Sequence, residues 1–227
     1  MPQYKVWENE YKNPSFVTKK ADPQSDVFRF FKFIRKKNKI NLENLKILDL
    51  GCGTGRNSNY LANLGNEVFG IEISDTALDI AKKRAKEEDL SVTYMKQSFG
   101  ESYPFEDNYF DLVLDIMSSN SLNERERDNY LKETHRTLKN NGLFFVKALC
   151  KDGDKNAKYL LKNFPGEERD TYIMKGVGLQ ERVFSRDEFV KVYSNFFKII
   201  KVYTKINYNR INGIIYKRTY ILAYLKK

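Results

Sequence analysis

The segment "KILDLGCGTGRNS", residues 46–58, limits what this chain can fold into more than any other stretch. An apolar run ends in three glycines at alternate positions, Gly51, Gly53 and Gly55, followed by Arg56, Asn57 and Ser58. A short apolar run of this kind reads as a buried strand. The glycines permit a backbone path that other residues avoid. A strand that passes through such a turn into a helix is the opening unit of a parallel α/β sheet. The helix start it creates presents free N–H groups to whatever sits in the turn.

The rest of the chain repeats that rhythm. Strands are expected at 46–50, 67–73, 91–96, 109–115 and 143–149. Residues 25–38 place Phe28, Phe30, Phe31 and Ile34 at helical spacing, with Ser25 or Asp26 as cap. A helix over 55–64 closes at Gly65. Ser74 caps another through about Glu88, carrying Leu78, Ala81 and Ala85 on one face. A further helix runs from about Asn123 to Lys139 and stops at Asn141 and Gly142. After a short helix over 185–195 come two long strand-like runs, "FKIIKVYTKINY" and "GIIYKRTYILAYL", joined at Asn212-Gly213. Asn-Gly is a strong hairpin signal, because both residues tolerate positive φ. The sum is an α/β fold: a seven-stranded, mostly parallel sheet with helices on both faces and an antiparallel last strand in a C-terminal hairpin. The whole of 1–227 reads as one domain. Residues 1–40 form an N-terminal segment and helix, and 151–182, the least periodic part, reads as an insertion beside the carboxyl end of a strand.

Composition narrows the function. Hydrophobic residues make up 41% of the chain, enough for a core, yet no apolar run reaches the length of a membrane span and no charged-then-apolar leader opens it. A cytoplasmic setting with no membrane partner is the expectation. Cys52 and Cys150 form neither a disulfide framework nor a spaced metal set, so no metal is expected. The net charge of +10 is compatible with RNA. The excess is mostly lysine spread along the chain, and its densest cluster, Arg35 to Lys39, suits the solvated end of a helix.

The turn itself discriminates between ligands. Dinucleotide folds use G-x-G-x-x-G, whereas Gly51, Gly53 and Gly55 give G-x-G-x-G. Asp49, two residues before the first glycine, would repel a pyrophosphate and welcome positive charge. S-adenosylmethionine has a sulfonium, an α-ammonium and no phosphate. Glu72 ends the next strand, where a carboxylate can accept both ribose hydroxyls of an adenosine.

"ILDLGCGTGRNSNYLANLGNEVFGIEIS", residues 47–74, resembles the nucleotide-binding half of the class I, Rossmann-like S-adenosylmethionine-dependent methyltransferases. "SYPFEDNYFDLVLD" resembles their fourth-strand region, and "YLKETHRTLKNNGLFFV" the helix and fifth strand that follow. The resemblance covers roughly residues 40–150, and the closing hairpin fits the family's reversed last strand. Arg56-Asn57-Ser58 is similar to the turn of the tellurite-resistance and thiopurine branches, which act on small molecules. The resemblance implies S-adenosyl-L-methionine as cofactor. It places Asp49 near the methionine end, with close backbone from Gly51, Cys52 and Gly53 and the turn completed by Gly55 and Asn57. It gives the ribose to Glu72 and the adenine to Ile73. Where many members carry an acid after the third strand this chain has Phe99 flanked by Ser98, so stacking, the Ser98 hydroxyl and main-chain groups would hold the adenine. Asp115 ends the fourth strand, beside cofactor and substrate.

Methyl transfer from a sulfonium needs in-line positioning and exclusion of water, and a base only if the acceptor must lose a proton. The missing catalytic dyad is therefore no objection. "DIMSSN", residues 115–120, lacks the Asn/Asp-Pro-Pro-aromatic pattern of base N-methylation. A small-molecule acceptor is the reading. An RNA or protein methyltransferase using the basic surface, and a non-catalytic cofactor-binding module, stay open beside it, with a dinucleotide oxidoreductase more distant. His135, at helical spacing with Leu131 and Leu138, reads as packing, and Cys52 as a small residue in the turn. Trp7, Tyr11 and Phe16 precede the first expected helix, in a segment that often folds over the cofactor in this family. Tyr159, Phe164 and Tyr172 lie in the 151–182 insertion with Gly176 and Gly178, a composition suited to closing over a ligand. Trp7, Tyr11 and Tyr172 are the candidate acceptor contacts.

Overall fold

A computed structural model describes residues 3–14, 21–38, 42–211 and 214–227. Phe16, Lys39 and the Asn212-Gly213 turn lie outside the described residues. The seven-stranded sheet runs β3-β2-β1-β4-β5-β9-β8. Its parallel strands are β1 (Lys46–Leu50), β2 (Glu67–Glu72), β3 (Val92–Lys96), β4 (Phe110–Ile116) and β5 (Leu138–Cys150). The hairpin strands β8 (Lys198–Ile211) and β9 (Ile214–Lys226) are antiparallel, and β9 inserts between β5 and β8. The order reverses between β1 and β4, so a crevice opens outside their carboxyl ends, where such sheets bind ligands.

Each face of the sheet is sealed by apolar side chains. Helix α2 (Ser25–Asn38) lays Val27, Phe30, Phe31 and Ile34 on one face, where Phe30 stacks on Phe145 with ring centroids 4.9 Å apart. Helices α5 (Glu124–Thr137) and α7 (Arg186–Tyr193) close the other face through Tyr130, Leu131, Phe189 and Tyr193. Between β1 and β3 run α3 (Arg56–Asn63) and α4 (Asp75–Glu87), the latter burying Leu78, Ala81 and Ala85. His135 is partly buried with its ring 5.7 Å from Phe197, and burial lowers its pKa. No described helix is long and apolar enough to cross a membrane.

Three local outcomes differ from the sequence pattern. The expected helix to Lys139 ends at Thr137, and β5 begins five residues before the expected 143 because Leu138 already pairs with Phe110. Asn141, at φ 69°, then bulges the strand before Leu143 takes up the register against Leu112. The N-terminal segment carries a helix of its own, α1 (Tyr4–Lys12). The region 151–182 is ordered, as α6 (Lys155–Asn163) and a separate two-stranded sheet of β6 (Thr171–Met174) and β7 (Leu179–Arg182).

Candidate cofactor and acceptor site

A cavity of about 950 Å³ occupies the crevice. The glycine turn forms its floor. Gly51 and Gly53 have φ of 63° and 55°, the left-handed region where a side chain is strained. A Cβ on Gly53 would sit 2.7 Å from the Tyr11 hydroxyl, and one on Gly51 2.5 Å from Ser118 Cβ. Bare backbone is therefore required on both sides of Cys52. The Cys52 thiol is buried, which pushes its pKa well up and leaves it unreactive. Gly55, at the start of α3, faces away from the cavity toward Tyr94 and Ala81.

Two buried carboxylates flank the turn. Asp49, one residue before the end of β1, is only 2% exposed and accepts the Ser58 hydroxyl at 2.6 Å. Burial raises its pKa to about 7, against the opposing pull of the Ser58 hydrogen bond and the Arg56 charge. Glu72 ends β2 at 5% exposure. Its Oε1 accepts the Ile73 and Ser74 N–H groups at 2.8 and 2.9 Å, and its Oε2 accepts the Gly53 N–H at 3.0 Å. Burial raises this pKa too, opposed by those backbone donors. Three of about four acceptor positions are used, which leaves Oε2 capacity toward the cavity. Among the described residues neither carboxylate has an ion pair. This end of the cavity fits a ligand with positive charge and paired hydroxyls.

Most of the remaining candidates also line the cavity. Ile73, Ser98 and Phe99 border it beyond Glu72, with the Ser98 hydroxyl accepting the Gly100 N–H at 3.2 Å. Asn57 borders it at the start of α3 and accepts the Gln24 N–H at 3.0 Å. Trp7 and Tyr11 face it from α1, their rings 6.0 Å apart.

Two expectations need correction beside Gly55. Asp115 is fully buried and turns away from the cavity, because the β4 turn claims its oxygens. Oδ1 accepts the Ser118 and Ser119 N–H groups at 3.0 and 3.1 Å, and Oδ2 accepts the Tyr130 hydroxyl at 2.7 Å. Tyr172 is also fully buried, behind the wall. Its hydroxyl donates to Glu181 Oε2 at 2.6 Å and accepts from Arg218 Nη2 at 2.9 Å. Its two partners, Glu181 and Arg218, are the ones that line the cavity. Tyr159 points outward at 57% exposure.

The wall formed by β5, β9 and the start of α2 holds residues the motifs did not single out. Lys147, on β5, is 6% exposed and borders the cavity. Its Nζ donates to Asp26 Oδ2 at 2.9 Å and Gln24 Oε1 at 3.3 Å, and stands 4.8 Å from the centre of the Tyr220 ring. Lys205 donates to the other Asp26 oxygen at 2.6 Å. Burial lowers the Lys147 pKa, and Asp26 opposes the shift. The signal was present in "LFFVKAL": a lysine inside an otherwise apolar strand is either paired or functional.

Residues 47–142 match the family described as a methyltransferase domain. The chain is 32% identical over 148 residues to a ubiquinone biosynthesis O-methyltransferase of Pelagibacter ubique, an alignment that covers 63% of this chain and 59% of that protein. It thus spans well under two thirds of the length of this curated relative. Among solved structures it superposes on a SAM-dependent methyltransferase of Methanosarcina mazei with a TM-score of 0.72 and 22% identity, covering 91% of this chain and 98% of that one. On TehB of Haemophilus influenzae the TM-score is 0.68 at 17% identity, covering 97% and 67%.

Proposed function

From the class I S-adenosylmethionine-dependent methyltransferase fold that this chain has, we propose that it is an enzyme moving a methyl group from S-adenosyl-L-methionine to a small-molecule acceptor. The observation that carries the reading is the pair of buried carboxylates, Asp49 and Glu72, set without ion-pair partners among the described residues on either side of a bare glycine turn. In this reading Asp49 faces the ammonium and sulfonium, Glu72 takes the ribose hydroxyls, and Ile73, Ser98 and Phe99 border the adenine. The cofactor supplies an already activated methyl group, so that one S–C bond breaks as a bond to the acceptor forms. Any acceptor proton is released to solvent or to a cavity base. That the similar Pelagibacter ubique protein is an O-methyltransferase of ubiquinone biosynthesis supports a small acceptor.

We further propose that 1–227 works as one domain, with α1 and the 151–182 region as its cover. The β6–β7 turn brings Met174, Lys175 and Gly176 to the cavity edge. Gln3, just before α1, exchanges hydrogen bonds with the Gln180 backbone on β7, donating at 2.8 Å and accepting at 2.8 Å. The two cover elements therefore hold each other across the opening, which favours exclusion of water.

Calorimetry with S-adenosylhomocysteine and with NAD tests the cofactor, and labelled S-adenosylmethionine with fractionated cell extract tests the transfer. Binding of the former alone, and label in small molecules, are the expected results. NAD binding without S-adenosylhomocysteine binding would overturn the reading, and label in RNA or protein would overturn the acceptor class.

A further inference from the structure

One wall of the cavity carries two ammonium groups on a single carboxylate. Asp26, 2% exposed, is one carboxylate shared by two ammonium groups, Lys147 and Lys205, both largely buried. Arg29 stands 3.6 Å from the same carboxylate, adding positive charge from its rim. Burial would raise the Asp26 pKa, and the Lys205 and Lys147 hydrogen bonds bring it below its usual range, so it is ionised. The cluster is left with at least one positive charge in excess in a site largely closed to water. A buried charge without a counter-charge is costly, so a site that keeps one is poised for a ligand of opposite sign.

The excess is directed. Lys147 has three N–H donors. Asp26 takes one and Gln24 another, and the third has no hydrogen-bond partner among the described residues, the Tyr220 ring lying 4.8 Å from Nζ. Lys147 borders the cavity while Lys205 and Asp26 stand behind it. The other cation of this wall, Arg218, stands between two carboxylates: its Nε lies 3.3 Å from the fully buried Asp154, and Glu181 is reached through the Tyr172 hydroxyl. Tyr220 and Leu149 offer a flat apolar border next to Lys147. Asp49, Glu72 and Arg56 thus stand at the glycine turn, and the Lys147 group, two ammonium ions on one carboxylate, stands on the β5 part of the wall.

Building on the methyltransferase reading, we propose that the methyl acceptor is an organic carboxylate, anchored by its anionic group on the third N–H of Lys147. Lys205 and Asp26 are positioning residues: they hold the Lys147 ammonium at the wall and keep the local charge positive.

The test is calorimetry on the full chain saturated with S-adenosylhomocysteine. Small aromatic and aliphatic carboxylates are titrated beside their primary amides, starting with benzoate and benzamide. Carboxylates are expected to bind at least about tenfold more tightly than the amides. Lys147→Met is expected to abolish that preference while S-adenosylhomocysteine affinity stays within about twofold. Lys147→Arg should retain the preference. Lys205→Met, behind the wall, should reduce it and gives a second reading if Lys147→Met does not fold. The proposal is overturned if the amides bind as well as the carboxylates, if no carboxylate binds, or if the preference survives both methionine substitutions. A loss of S-adenosylhomocysteine affinity in Lys147→Met equal to the loss for carboxylates also overturns it, since Lys147 would then serve the cofactor. If the wild-type chain does not bind S-adenosylhomocysteine, the methyltransferase reading fails instead, and the same titrations on the ligand-free chain decide the role of Lys147.

Discussion

At Asp49 the acid–base chemistry of one residue becomes measurable. Its carboxyl titrates near 7 in the folded chain because burial opposes ionisation, against about 3.9 when unfolded. Between those values the native state holds a proton that the unfolded state has released. Stability therefore falls as pH rises through this window, by about 4 kcal/mol at most. A cationic ligand beside Asp49 favours its ionised form. The affinity for S-adenosylhomocysteine, which keeps the ammonium, should accordingly climb from about pH 6 to about pH 8, with proton release on binding. Calorimetry in buffers of different ionisation enthalpy reads both effects, and Asp49→Asn should flatten them; a pH-independent affinity in the wild type would contradict this role. Glu72 calls for a different variant. Glu72→Ala would strip acceptors from three backbone N–H groups as well as from a ligand. Glu72→Gln keeps the size and one acceptor oxygen, and is expected to cost on the order of 1.5–3 kcal/mol in binding. The same S-adenosylhomocysteine affinity in that variant would remove Glu72 from the site.

Helix α1 is the element that the sequence hides. Its buried side chains are Glu8 and Glu10, so no apolar stripe announces it. Glu8 docks it to the start of α4: Oε2 accepts the Ser74 hydroxyl at 2.7 Å and the Thr76 N–H at 3.2 Å, and Oε1 accepts the Thr76 hydroxyl at 2.7 Å. Burial alone would push the Glu8 pKa up, but these donors and Lys12 bring it down to about 2. Its contribution is present above the unfolded value near 4.3 and fades as pH falls toward 2. Hydrogen exchange at pH 3 should show α1 amides losing protection before those of β1 and β4. At neutral pH, Glu8→Ala should free α1, carry Trp7 and Tyr11 away from the cavity, and weaken S-adenosylhomocysteine binding with the sheet intact. Unchanged α1 protection in that variant would refute the docking role. The same reasoning separates what was legible elsewhere. The parallel strands were readable because full burial writes continuous apolar runs, such as "KILDL" and "YFDLVLD". Strands β6 and β7 span four residues each, too short for a period. Asp115 was legible as a strand-end acid, but its partners, Tyr130 and the Ser118–Ser119 backbone, are set by tertiary packing. Lys147 was passed over although it is a charge in an apolar strand, and its partners Asp26 and Lys205 lie far away in sequence.

Over the whole molecule, binding at one end of the sheet should be felt as added stability of the fold. At about a hundredfold excess over Kd, a ligand selective for the native state adds about 2.7 kcal/mol, or a rise in Tm of about 5–10 °C for a chain of this size. S-adenosylhomocysteine should produce such a shift in a thermal scan and NAD should not. The order of the strands has a consequence for synthesis. β9 lies inside the sheet, bonded to β5 on one side and β8 on the other, yet it leaves the ribosome after every other strand. The glycine turn, Asp49 and Glu72 belong to strands that neighbour one another early in the chain, and those can pair while translation continues. The flank of β5 that carries Lys147 must wait uncovered for a partner some seventy residues downstream. A nascent chain paused before β9 would thus hold the framework of the proposed nucleoside pocket while lacking the Tyr220 wall. Such a truncated species is exposed at one edge of its sheet, which makes that interval the point at which a chaperone has most to protect.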